Sequence, residues 1–267
     1  MADTGGSIPS RRIVRVRRMS IACLLTAAGL FVVPAALQFV ASLQRGVWFS
    51  GSRAPAQVSV EDHRFDYYRA WGPWEHIGTA GQFFGSGILL QVLGLLAMAA
   101  GVLAQPVAAA RRVTAAALAA VESVLVLLVA ATFGVIGTHA LVSGMNGTPS
   151  QLQGSSALFR ALMVVGSAGL VSLGLLWRAK LRAAMAACAF RFGSTVMGYL
   201  IAAYVMAPVI SGGQHDTAPG PETVVAASTG LAGVAMLFAV SALAGRGPAV
   251  PPAFGAAGNR STPPPRL

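Results

Sequence analysis

Six apolar stretches, each about the length of a bilayer crossing, constrain this chain more than any motif does. They cover residues 19–43, 83–104, 113–138, 157–177, 183–207 and 223–244. In hydrocarbon a backbone N–H or C=O has no water to bond, so a spanning segment must satisfy itself as a helix or close into a barrel. The strand alternation that a barrel needs is absent. The sequence therefore predicts an all-α fold, an integral membrane bundle of six transmembrane helices. Pro34 predicts a kink in the second half of the first. That first stretch is too long for the apolar region of a cleaved signal peptide. Composition agrees, because only 10% of the residues are charged, against about 25% in a soluble domain.

The charges then orient the bundle, since Lys and Arg collect on the cytoplasmic side. With a cytoplasmic N-terminus, the inner segments hold thirteen Lys and Arg against Asp3, and the outer segments hold five against six acids. The net charge of +11 is thus a matter of topology, and no nucleic-acid partner is implied. Both termini are expected in the cytoplasm of a cell-membrane protein. Residues 1–18 form a basic segment, 19–244 the transmembrane domain and 245–267 a disordered Pro/Gly-rich tail. The Ala-, Gly- and Val-rich composition with a single Lys is bacterial-like. Thr79, Thr148 and Thr217 stand 69 residues apart, the first two in the similar strings GTAGQ and GTPSQ and the third in the less similar DTAPG, a faint sign of repeated hairpins.

Two intramembrane residues are ionisable. Glu122 lies ten residues after Arg112, and Arg191 nine after Arg182. At 1.5 Å per residue both are expected about 14 Å deep. A lone charge there costs at least about 2.5 kcal/mol, so the two are expected to pair across the bundle, as a structural bridge or as part of a proton or substrate path. Gln38 and Gln91 are expected to hydrogen-bond between helices. Small residues four apart (Ala97 and Gly101, Ala130 and Gly134, Ser194 and Gly198, Ala226 and Gly230) mark close helix approaches.

The longest outer segment, residues 44–82, holds three of the four Trp and four of the eight carboxylates. Ser59 with Asp62 resembles a capping box, and Gly72-Pro73 a stop. A short interfacial helix is predicted over 60–71, with Phe65, Tyr67, Tyr68 and Trp71 on its aromatic side and Trp74 just beyond. Such a surface suits docking to lipid or to a membrane or extracytoplasmic protein. No histidine pair has metal-ligand spacing, and no phosphate-binding, dinucleotide-binding or hydrolase motif is present, so no metal, cofactor or catalytic residue is expected. The sequence reads as a non-enzymatic accessory or scaffold protein whose outer loop contacts a partner or lipid. The alternative is a small transporter or permease using Glu122 and Arg191.

Overall fold

The computed structural model describes residues 8–49, 67, 74–105, 112–153, 155–211 and 220–245. Among them the chain is all-helical, and five helices are long and apolar enough to cross a membrane. These are α1 (Ile8–Leu43), α2 (Ala80–Leu103), α3 (Arg112–Asn146), α4 (Ser156–Trp177) and α8 (Pro221–Gly245). The protein is a multi-pass membrane bundle. The remaining apolar stretch is not one helix. It divides into α5 (Arg182–Phe192), α6 (Val196–Ile201), a π-helical turn (Ala202–Met206) and α7 (Ala207–Ser211), with a 64° bend between α5 and the part that follows.

The helices close a ring. α1 packs on α2 and α8, α2 on α3, α3 on α4, α4 on α5, and α5 on α8. Cross-helix bonds fix the direction of each. At one end Ser20 Oγ donates to Gly101 O at 2.7 Å, and Arg17 Nε donates to Leu243 O at 2.9 Å. At the other, Gln44 Nε2 donates to Thr79 Oγ1 at 2.9 Å, and Ser42 and Thr223 share a hydroxyl bond of 2.7 Å. The first is called the basic end, since Arg15, Arg17, Arg18, Arg178, Lys180 and Arg182 lie there, and the second the loop end. The contacts also resolve the bent pair. α5 starts beside Lys180 at the basic end, and Tyr199 of α6 reaches Glu222 at the loop end, 3.4 Å away. The pair is thus one broken crossing, and α1 begins, and α8 ends, at the basic end.

Small residues set how closely these helices approach. Gly87, Gly94 and Gly101, seven apart on α2, face α1 at Pro34, Phe31 and Leu24. On another face of α2, a Cβ at Gly85 would lie 2.4 Å from Leu141 N of α3, so only glycine fits there. Gly94 sits by Leu30 O, the carbonyl that Pro34, lacking an N–H, leaves without its helical partner. The helix α1 continues through Pro34.

Three expectations change. The N-terminal basic segment is helical from Ile8, so α1 runs 36 residues, about 54 Å, well past a 30 Å core. α3 also overshoots, with 35 residues against 22 in α4. Of the small-residue pairs, Gly101 does contact α1, but a Cβ added at Gly134 would meet no neighbouring helix within 4 Å. The 69-residue spacing does not mark equivalent positions: Thr79 immediately precedes α2, whereas Thr148 stands eight residues before α4.

Candidate functional site

Buried polar groups occupy three levels of the bundle. At the basic end Lys180 Nζ, in the turn between α4 and α5, lies 2.8 and 2.6 Å from the two carboxylate oxygens of Glu122. Glu122 is fully buried, and Lys180 keeps 11% of its side chain exposed. Such placement lets the ammonium meet water while its stem lies along apolar surface. At the loop end Arg45 pairs with Glu222, whose carboxylate also accepts from Tyr199 Oη.

The third level is the middle of the ring. Arg191, in the last turn of α5, is 0% exposed and donates through Nη1 to Gln91 Oε1 of α2. Its guanidinium carbon lies over the rings of Phe133, 4.4 Å from the centroid, and of Phe31, 5.3 Å away. Cation–π attraction of this kind strengthens when water is excluded. Gln91 Nε2 donates to Thr229 Oγ1 of α8 at 3.2 Å, and Thr229 donates to Gln38 Oε1 of α1 at 3.0 Å. Ser194, at the break after α5, meets the same Thr229 hydroxyl at 2.9 Å. One connected cluster therefore ties α1, α2, α5 and α8 together, all of it buried.

Why the chain breaks here is local. Gly193, Ser194 and Thr195 interrupt the apolar stretch. Thr195 Oγ1 then accepts from Gly198 N at 3.0 Å, starting α6 afresh as its N-cap. A Cβ at Gly198 would lie 2.1 Å from Phe192 O, so the bend needs glycine at this close approach. At the break the carbonyls of Phe190, Arg191 and Phe192 accept from the N–H groups of Gly193, Ser194 and Thr195, and such irregular backbone at membrane depth occurs where protein or a cavity takes it up.

The expected Glu122–Arg191 bridge is not what forms. Counting depth from the first basic residue assumes that α3 and α5 start at the same level, but α3 starts ten residues before Glu122, which itself is level with Lys180 just before α5. Glu122 stands level with the α4–α5 turn, where it pairs with Lys180, while Arg191 is nine residues, about 14 Å, farther in. Gln38 and Gln91 do bridge helices, as expected. Ser194, expected only as a small residue at a close helix approach, joins the cluster, and the signal for it is the string Arg191-Phe-Gly-Ser-Thr195, which puts turn-forming residues inside an apolar span; Thr229 carries no such signal.

Most of the predicted interfacial helix, 60–71, with Phe65, Tyr68 and Trp71, lies outside the described residues. Tyr67 is 3% exposed, with its ring 5.2 Å from Phe84 of α2, so it faces the bundle rather than a partner. Trp74 is half-buried beside His76, their ring centroids 6.2 Å apart. Among the described residues no group of three His, Cys, Asp or Glu could hold a metal. Comparison of the chain with protein-family models, curated proteins and solved structures finds no match.

Proposed function

We propose that the chain is a small permease of the cell membrane, with both termini in the cytoplasm, and that its solute passes the Arg191 cluster. The observation that carries this reading is the coincidence of a fully buried arginine with the break in a membrane crossing found among the described residues. Solute sites of membrane carriers lie near mid-bilayer at interrupted helices, where a half-helix can swing without disturbing the rest of the bundle. Here α5 is bound to the ring through Arg191, whereas the π-helical turn exposes Tyr204 and Val205 and α7 exposes Val209 and Ile210. In this reading the segment beyond the break, which packs on α4 and α8, is the part that moves. Glu122 has no place in this path, because it sits at the basic end under Lys180. The charge asymmetry supports the cytoplasmic placement of that end.

Thiol accessibility tests the reading without knowledge of the solute. In a Cys23→Ser, Cys188→Ser background, Ser194→Cys in sealed vesicles is expected to react with a membrane-impermeant thiol reagent from either side. Protection from both sides under all conditions would refute passage through this level.

A second reading rests on the loop end. Glu75 and His76 are exposed and Trp74 is half-buried immediately before α2, which supports an accessory or scaffold role in which segment 44–82 contacts lipid or an extracytoplasmic partner. Under it, Trp71→Ala with Trp74→Ala abolishes partner recovery in mild detergent while Ser194→Cys stays unreactive.

A further inference from the structure

Helix α1 enters the bundle through three arginines that do not share a face. Arg17 turns to α8, where Nε donates to Leu243 O at 2.9 Å and Nη2 to Ala244 O at 2.8 Å. Those carbonyls belong to the last turn of α8, so Arg17 marks the level at which the bundle ends. Arg15 and Arg18 flank that level and are exposed. At 3.6 residues per turn they stand on the side of α1 opposite Leu24, Ala28 and Phe31, which are buried against α2 and α8. The same side continues along the helix. Arg15, Arg18, Ala22, Leu25, Gly29 and Val32 follow one another alternately three and four apart, and all six are exposed. In a bilayer this is one lipid-facing stripe with two guanidinium groups at its end, at headgroup height. Among the described residues neither guanidinium has an acid partner: Glu75 and Glu222 lie at the loop end, and Glu122 is held by Lys180.

We propose that this face binds an anionic phospholipid of the phosphatidylglycerol class, its phosphate diester between Arg15 and Arg18 and one acyl chain along Ala22, Leu25 and Gly29. A guanidinium suits a phosphate because its planar fork donates two parallel N–H bonds to a pair of oxygens. A headgroup without an ammonium is favoured, since basic residues at this height are drawn to net negative lipid and the cation of phosphatidylcholine offsets that attraction. A soluble phosphate would meet the arginines but not the stripe below them, which only a chain carried by the headgroup covers. Arg178 and Arg182 are also exposed at the basic end. They belong to two helices, however: Arg178 closes α4 and Arg182 opens α5, with the inward-turned Lys180 between them. Those two arginines continue no single stripe. The lipid site is thus distinct from the general positive charge of this end, and it stands whether or not a solute passes Arg191.

The test places a bimane fluorophore on the stripe, at Leu25→Cys in the Cys23→Ser, Cys188→Ser background, with the full chain in phosphatidylcholine vesicles. Phosphatidylglycerol with brominated acyl chains quenches the dye when it lies on the stripe, and brominated phosphatidylcholine at the same mole fraction measures ordinary contact. Affinity for phosphatidylglycerol is expected to exceed that for phosphatidylcholine about thirtyfold, from about fivefold for each arginine near the surface. Arg15→Gln with Arg18→Gln is expected to abolish the preference. Arg178→Gln with Arg182→Gln removes the same net charge and is expected to leave it intact. Should the dye disturb the face, native mass spectrometry of unlabelled wild type and the two double variants, released from mixed micelles, decides the same point by the phosphatidylglycerol each retains. Equal quenching by the two brominated lipids would overturn the proposal. Equal loss of preference in the two double variants would overturn it too, because the attraction would then belong to the whole basic end. Displacement of brominated phosphatidylglycerol by glycerol phosphate would do the same, and would assign the two arginines to a soluble phosphate ester.

Discussion

Replacing Gly85 by alanine adds one methyl group where α2 and α3 meet. That carbon would lie 2.4 Å from Leu141 N and 2.7 Å from both Gly137 O and Leu141 Cα. All three are backbone atoms of an intact helix, so no side chain can rotate away. Ordinary contact begins at 3.4 Å, so the helices must part by about 1 Å locally, and Gly81 against Gly144 and Ile88 against Gly137 open with them. A gap of that size forfeits a quarter to a half of the dispersion attraction between facing atoms, and overpacking of this kind costs about 1–3 kcal/mol. Alanine also has higher helix propensity than glycine, which would blur the result. Gly134→Ala on α3 removes that ambiguity, since its added carbon meets nothing within 4 Å and it gains the same propensity term. The difference between the two variants, measured by reversible unfolding in mixed micelles, is therefore expected to be about 1–3 kcal/mol with Gly85→Ala the less stable. Equal stabilities would show that α2 and α3 do not meet at this crossing.

Other outcomes follow from the same packing. Glu122 and Lys180 are expected to show a coupling of about 1–3 kcal/mol in a double-mutant cycle of Glu122→Gln with Lys180→Met, whereas Glu122→Gln with Arg191→Gln is expected to be additive. A strong second coupling would restore the mid-bundle bridge. Tyr67→Ala is expected to lower stability by about 3 kcal/mol, within the range for emptying a buried aromatic site, and an unchanged unfolding midpoint would mean that the ring is not held against Phe84. For orientation, Glu75→Cys in the cysteine-free background is expected to label only from outside whole cells and Arg178→Cys only from the cytoplasmic side. The opposite pattern would invert the bundle.

Much of this architecture could be read from the chain because lipid imposes it. Residues 83–104 and 157–177, with few charges and no interruption, gave helices α2 and α4 nearly to the residue. Gln38 and Gln91 could be assigned to interhelical bonds because an amide in hydrocarbon has few other options. What could not be read was depth. Helix α3 continues about ten residues beyond the level of Lys180, and an apolar, Ala-rich sequence such as Val113–Val121 looks the same inside the hydrocarbon as just outside it. That ambiguity moved Glu122 from the mid-bundle to the basic end. The broken crossing was hidden for a related reason: hydropathy averages over Gly193, Ser194 and Thr195, although three turn-prone residues in sequence are the local cause of the bend. The small-residue spacing was too permissive in an Ala- and Gly-rich chain to tell Gly134, which faces away, from Gly85, which carries a helix crossing.

Helix α1 is made first and α8 last, yet they are neighbours. Ser42 finds Thr223 across 181 residues, Gln38 finds Thr229 across 191, and Arg17 finds Leu243 across 226. During synthesis, then, the polar groups on one face of α1 must wait, inserted but without these partners, until α8 has been made. A ring closed by its final segment is a checkpoint on completeness: a chain truncated before Pro221 presents Arg45 without Glu222 and Gln38 without Thr229, and an unmet charge or amide at such a place is the kind of feature by which an unfinished membrane protein is recognised and removed.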